Sequence, residues 1–237
     1  FYKNYYLNKT MEKIVISLGG SLIVPDKIDY EFLDEFKDTI GKHYKTHKFI
    51  VVAGGGSIAR KYIEALKKEN KSKNELSQAG IRVTRMNAFF LMQLFGKEAN
   101  DNLPLNMHEI KNYLVKNKIV ICGALRFSEN STSDTTAAKI ANYLNTIFIN
   151  ITNVKGLYTS DPRKNKDAKF IPKISWKEFE KIALKSKYSP GQHFVLDQNA
   201  ATLIRKYKIK TYIVGKNLKN LERILKGKIF EGTLIKD

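Results

Sequence analysis

Apolar residues along the chain alternate between two kinds of segment. Ile14-Val-Ile-Ser-Leu18 is a short β-branched run that stops at Gly19-Gly20-Ser21, the pattern of a buried strand feeding a tight loop. Phe49-Ile-Val-Val-Ala53 repeats the pattern and ends at Gly54-Gly55-Gly56-Ser57. Ile119-Val-Ile-Cys122, Thr146-Ile-Phe-Ile-Asn-Ile-Thr152, Lys210-Thr-Tyr-Ile-Val214 and Gly232-Thr-Leu-Ile235 predict further strands. Between them, apolar positions fall at helical spacing: Phe32, Leu33, Phe36 and Ile40 within 29–44, then Ile58, Tyr62, Ile63 and Leu66. Helices are also predicted over 76–99, 137–144, 176–185, 197–207 and 218–226. The polar stretches 70–74 and 128–133 read as loops, and 153–175, with Gly156, Pro162 and Pro172, as turns and short strands.

Strands alternating with helices predict an α/β fold, with a mainly parallel sheet covered on both faces. No linker divides the chain, so we expect one domain over 11–237, with lobes meeting near residue 150 and 1–10 as an N-terminal extension. Three strand ends carry glycine: Gly19-Gly20, Gly54-Gly55-Gly56 and Gly123. Ligands of such sheets gather at the carboxyl ends of strands.

Composition narrows the class. With 43% hydrophobic residues in 237, the chain has material for a core and is not of the disordered class. The single cysteine, Cys122, forms no internal disulfide, so we expect a reducing, cytoplasmic setting, with Cys122 in a packing role. No apolar run approaches the ~18 residues of a membrane span. Lys plus Arg number 42 against 23 Asp plus Glu, a net +19. The excess suits a polyanionic partner or, the reading we favour, a lysine-rich solvated surface. Only seven of the cations are arginine, the better phosphate fork, and no RNA-binding aromatic motif stands out, so no nucleic-acid partner is expected.

Glycine at a strand end lets a phosphate approach backbone amides, and a helix starting there adds free N–H groups. Gly54-Gly55-Gly56-Ser57 meets both conditions, and Arg60, one turn on, is placed to fork onto phosphate oxygens. Neither the P-loop nor the dinucleotide fingerprint has the spacing seen here. Ser131-Thr-Ser-Asp-Thr-Thr-Ala-Ala138 sets hydroxyls and a carboxylate before a helix, which suits either an N-cap or a second anion. His43, His47, His108 and His193 lie in none of these loops and are assigned to surface or packing roles.

Six segments together resemble the amino-acid kinase family, from Ile14 to about Ile235: Ile16-Ser-Leu-Gly-Gly-Ser-Leu22; Val51-Val-Ala-Gly-Gly-Gly-Ser-Ile-Ala-Arg-Lys-Tyr-Ile63; Gly80-Ile-Arg-Val-Thr-Arg-Met-Asn-Ala88; Thr132-Ser-Asp134 before Ala137-Ala138; Thr152-Asn-Val-Lys-Gly-Leu-Tyr-Thr-Ser-Asp-Pro162; and Val195-Leu-Asp197 with the Gly232 tail. The glycine-rich and Thr-Arg-Met-Asn-Ala segments look most like the archaeal-type UMP kinases of that family. The resemblance implies a three-layer αβα sandwich of about eight strands, with an acceptor lobe over 11–150 and an ATP lobe over 151–237. It implies ATP-dependent phosphorylation of UMP, with Mg2+ held mainly by substrate phosphates rather than by protein ligands, and a homo-oligomer, usually a hexamer. It gives Gly20, Arg60 and Asp134 catalytic roles. It assigns Gly20, Ser21, Gly56, Arg60, Thr152, Asn153, Tyr158 and Asp161 to ATP, and Gly55, Ser77, Ser131, Thr132 and Ser133 to UMP.

Departures from the family pattern sharpen the expectations. Ser17 stands where relatives commonly carry a lysine, leaving Arg60, Arg126, Lys13 or Lys155 to supply the transition-state cation. Ser77 stands where relatives use a carboxylate on the UMP ribose. Lys155 replaces an aspartate, and the loop from Ala124 to Asn130 looks long. The competing readings are isopentenyl phosphate kinase or another phosphotransferase of the family, and a non-catalytic nucleotide-binding regulator. Ala53 rather than His precedes the glycines, which disfavours isopentenyl phosphate kinase.

Overall fold

The computed structural model describes residues 11–125, 132–160, 162, 165–185 and 195–237. In chain order the elements are β1 (Glu12–Leu18), α1 (Gly20–Ile23), α2 (Tyr30–Gly41), β2 (His47–Ala53), α3 (Gly56–Lys68), α4 (Lys73–Phe95), α5 (Met107–Lys116), β3 (Ile119–Cys122) and α6 (Ser133–Tyr143). There follow β4 (Ile147–Ile151), β5 (Leu157–Tyr158), β6 (Phe170–Ile171), β7 (Lys173–Ile174), α7 (Trp176–Lys185), α8 (Gln198–Lys206), β8 (Thr211–Val214), α9 (Leu218–Leu225) and β9 (Thr233–Ile235).

Seven strands form the central sheet in the order β3-β2-β1-β4-β8-β9-β7, and β5 pairs with β6 in a separate antiparallel ribbon. About eight strands were expected; the central sheet has seven because β5 and β6, two residues each, pair with one another instead. All central pairings are parallel except β8 with β9.

Successive side chains on a strand face opposite ways, and the alternation here divides the core in two. Ile14, Ile16 and Leu18 of β1 pack with Phe49 and Val51 of β2 against α2, α4 and α9. Val15, Ile50, Val52 and Phe148 face the other way, against α5, α6, α7 and α8. Strands buried on both faces explain why they read as continuous apolar runs. The result is the three-layer αβα sandwich. Cys122 is fully buried in the second core, and burial pushes its thiol up to about 12, so it packs as a small apolar side chain.

Three local expectations change. α4 starts at Lys73, inside the stretch 70–74 read as a loop, because Ser72 and Glu75 form a reciprocal capping box. α5 was not anticipated; its Ile110 and Leu114 bury one face, and Asn106 caps its first turn. α6 starts at Ser133 rather than 137, capped by the Thr132 hydroxyl.

His43 and His47 pack edge to face at 5.8 Å, both buried, and His43 Nε2 finds no hydrogen-bond partner. Burial first, and for His43 also its neighbour His47, holds both imidazoles below the ordinary 6.5. The unfolded chain then binds more protons than the folded one below about pH 6.5, so stability is full above that pH and falls as pH drops through it. Asp134 contributes in the opposite sense over this range, so the histidine contribution is read as a difference: the gap between the urea midpoints of the wild type and His43→Gln should shift against the wild type as pH falls from 7.5 to 5. A gap that stays constant with pH contradicts the assignment.

Candidate active site

Strand register brings the loops together. Leu18 lies opposite Ala53 on one side and Ile151 on the other, Val52 opposite Cys122, and Ile151 opposite Val214. The residues that follow, Gly19-Gly20, Gly54–Gly56, Gly123 and Thr152, therefore leave the sheet along one edge. The chain also changes direction here: β2 and β3 build outward on one side of β1, and β4 is laid on the other. Strand order reverses between β1 and β4, which opens a crevice at their carboxyl ends.

A single cleft occupies that crevice, with a cavity volume of about 330 Å³. Its walls hold Gly20, Ser21, Gly55, Gly56, Arg60 and Ser77, and opposite them Thr132, Ser133, Asp134, Thr152, Asn153 and Tyr158. All the expected site residues that are described thus face one space. Ser131, Asp161 and Arg126 lie outside the described residues.

The glycines have a packing reason beside the phosphate one. A Cβ on Gly20 would sit 2.1 Å from the Gly56 nitrogen and 2.6 Å from the carbonyl carbons of Gly54 and Gly55. Gly56 itself has φ +64°, a conformation that favours glycine. The first two loops therefore touch backbone to backbone. Asn87 donates from Nδ2 to the Gly54 carbonyl at 2.7 Å, and the Ser57 hydroxyl donates to the Val24 carbonyl at 3.0 Å. Thr84 Oγ1 accepts from the Ala124 amide at 3.0 Å, and Arg85 Nε donates to the Ala124 carbonyl at 3.1 Å. The Thr-Arg-Met-Asn segment of α4 is thereby a brace joining the second loop to the third.

Helices α3 and α6 both begin at the cleft, so their free N–H groups and positive ends aim at it. Arg60 lies one turn into α3, and its guanidinium makes no hydrogen bond or ion pair within the described residues. Two of the other cations considered, Lys13 and Lys155, are placed elsewhere. Lys13 is at the amino end of β1, the wrong end of the sheet, and Lys155 pairs with Glu231 at 2.9 Å on the surface. Lys13, the second residue of β1, cannot reach a loop roughly 20 Å along the strand.

The far wall is a polar cluster let into an apolar sheet. Ser17 and Asn150 are register partners on β1 and β4, both buried. Ser17 Oγ donates to Asp134 Oδ1 at 2.7 Å, and Asn150 Nδ2 donates to the Val195 carbonyl at 2.6 Å. Asp197 caps α8 through the Ala200 amide at 2.8 Å. It also accepts from the Thr135 amide at 3.2 Å, from Thr135 Oγ1 at 2.7 Å and from the Thr132 hydroxyl. Asp197 so ties the first turn of α6 to α8. Burial, then the nearby Asp197 charge, raises Asp134 to about 7, against the opposing pull of the Ser17 hydroxyl.

Sequence reasoning gave no role to Asn87, Asn150 or Asp197. One signal was present for Asn150, a polar residue at an inward position of an otherwise apolar strand. Asp197 carries its hydrogen bonds across 62 residues of sequence, which spacing does not reveal.

A family model, the amino acid kinase family, matches residues 12–215. Uridylate kinase of Pyrococcus abyssi is 36% identical over 225 residues, covering 94% of this chain and 99% of the relative. Uridylate kinase of Thermoplasma volcanium is 36% identical over 218 residues, 92% of this chain and 94% of the relative. The crystal structure of uridylate kinase from Archaeoglobus fulgidus matches with a TM-score of 0.81 at 31% identity, over 94% of this chain and 99% of that one. A cleft built from the family's glycine loops, in the family's fold and at this identity, leads to one conclusion: the chain belongs to the amino acid kinase family.

Proposed function

We propose that this chain is an ATP-dependent UMP kinase. A phosphate oxygen of UMP attacks the γ-phosphorus of ATP, the bond from that phosphorus to the β-bridging oxygen breaks, and UDP and ADP result. The observation that carries the reading is the convergence of Gly20, Gly55 and Thr132 on one cleft with Arg60, in a chain whose relatives are named uridylate kinase. Phosphoryl transfer needs in-line positioning and charge neutralisation more than covalent help. Amides of two glycine loops and two helix N-termini supply the first, and Arg60 contributes to the second. A UMP phosphate is already ionised near neutral pH, so no general base is required of the chain.

In this reading 11–150 is the acceptor lobe and 151–237 the ATP lobe. Gly55, Ser77, Thr132 and Ser133 take UMP, with Ser131 beside them. Gly20, Ser21, Gly56, Thr152, Asn153 and Tyr158 take ATP, with Asp161. Mg2+ fits this wall on its chemistry: the Asp134 carboxylate, an oxygen ligand of the hard kind magnesium takes, stands beside the Asp197 carboxylate and is held by the Ser17 hydroxyl. Magnesium held mainly by ATP phosphates, with Asp134 near, would neutralise the oxygens of the transferred group. We further propose a cytoplasmic hexamer, checked by light scattering. No helix among the described residues is long and apolar enough to cross a membrane.

A coupled ADP-release assay with a panel of monophosphates tests the function. Turnover selective for UMP is expected; turnover with isopentenyl phosphate alone, or with no acceptor, overturns it. The charge state of Asp134 adds a pH signature. With its folded value raised to about 7, the ionised form that receives a cation grows through neutrality. The ratio kcat/KM should rise with pH along a limb near 7, and Asp197→Asn should move that limb to lower pH by removing the neighbouring charge. The same raised value means that Asp134 lowers the stability of the free protein as pH climbs from about 4 to 7. A limb unmoved in Asp197→Asn refutes the coupling.

A further inference from the structure

At the opposite end of the sheet, where the strands begin, lies a second and larger hollow of about 950 Å³. Five lysines surround it: Lys13 of β1, Lys48 of β2, Lys111 of α5, and Lys208 and Lys210 of the turn into β8. The one acid in its wall, Glu12, is turned to His47 at 3.6 Å. Lys48 donates to the Val115 carbonyl at 3.1 Å and so serves the end of α5. Lys210 lies over the Tyr212 ring at 5.3 Å. Lys13, Lys111 and Lys208 form no ion pair within the described residues.

Helix ends do not account for this charge. α5, α6 and α8 all finish beside the hollow. Each helix C-terminus supplies about half a negative charge, so three offset less than two of the lysines. The cations also repel one another: after burial, Lys118 and Lys13 are what hold the Lys48 ammonium below its ordinary value. The floor is apolar, with Leu114, Ile147 and Ile209, and the ring of Tyr207 stands at its rim, 43% exposed.

We propose that this hollow is a second binding site, distinct from the cleft, for a soluble polyphosphorylated anion of the nucleoside triphosphate class. Lysines on flexible stems meet phosphates as point charges. The apolar floor and the Tyr207 ring take the part of the ligand that is not phosphate. The concave shape and the volume fall in the range of small-molecule sites rather than of a flat membrane face.

Inorganic tripolyphosphate is the probe. Equilibrium dialysis compares the wild type with the surface variant Lys111→Glu/Lys208→Glu, whose turnover and melting temperature should be unchanged because neither residue touches the cleft. The variant should bind one equivalent less per chain, or bind that equivalent at least tenfold more weakly. The single tryptophan reports the position, since Trp176 Nε1 donates to the Ile209 carbonyl at 2.9 Å under the floor. ATP should displace tripolyphosphate from this site. Equal uptake by wild type and variant overturns the proposal, as does binding of anionic vesicles with no loss of soluble tripolyphosphate in the variant.

Discussion

Gly20→Ala should lower kcat/KM by about 100-fold or more while leaving a folded protein. The added methyl would lie 2.1 Å from the Gly56 nitrogen and 2.6 Å from two carbonyl carbons. Those atoms are backbone at the mouths of β2 and α3, so no side chain can swing aside. The two loops must part by an ångström or so, and misplacement of that size costs on the order of 10²-fold in rate. Overpacking of this kind costs about 1–3 kcal/mol of stability, which a core of two full layers tolerates. Gly41→Ala is the control, because the nearest atom to its added methyl is a Tyr44 ring carbon at 4.0 Å. The coupled assay and a thermal melt, run together, separate the two effects. Activity of Gly20→Ala within threefold of wild type would show that the loops do not need their close contact.

Arg60→Ala should cost about 10²- to 10³-fold in kcat/KM, the loss seen when one well-placed charge stabiliser of a transition state is removed. The size follows from what surrounds it. Ser17 occupies the place of the usual family lysine and is committed to Asp134. Lys13 and Lys155 are remote or paired. Arg60 has no partner of its own within the described residues and lines the cleft, and the proposed function gives it the phosphates; of the four cations weighed only Arg126, outside the described residues, also remains. Arg60→Lys should recover part of the loss, since it keeps the charge and forfeits the fork. Steady-state kinetics with each substrate varied in turn measure both. A variant that changes only KM for one substrate would reassign Arg60 to ground-state binding.

Much of this arrangement was legible before the fold was known. β-branched runs ending in glycine located β1 and β2, and α7 falls on 176–185, where the spacing places it. The elements that escaped were short or locally polar. α1 is four residues long, and α5 carries Met107, Ile110 and Leu114 at helical spacing but among polar residues over only ten positions; β5, β6 and β7 fall within 153–175, read as turns and short strands. The glycine loops pointed to the cleft because a missing Cβ is a local property. Their contact with one another is not local: it depends on β1 and β2 pairing in a register that sets Leu18 opposite Ala53. The same holds for Asp197, whose partners Thr132 and Thr135 reach it only when α6 and α8 pack together. Lys13 was weighed as a transition-state cation, but β1 carries it to the opposite end of the strand from Gly19.

A conjugate joining uridine to adenosine through a chain of five phosphates measures the central claim most directly. If both substrates lie end to end across the crevice between β1 and β4, calorimetry on the Lys111→Glu/Lys208→Glu variant, whose second hollow is disabled, should find one conjugate bound per chain, displacing ATP and UMP alike, and lost when Gly20→Ala is added. A conjugate that displaces only one of the two nucleotides would place donor and acceptor in separate hollows and contradict the account.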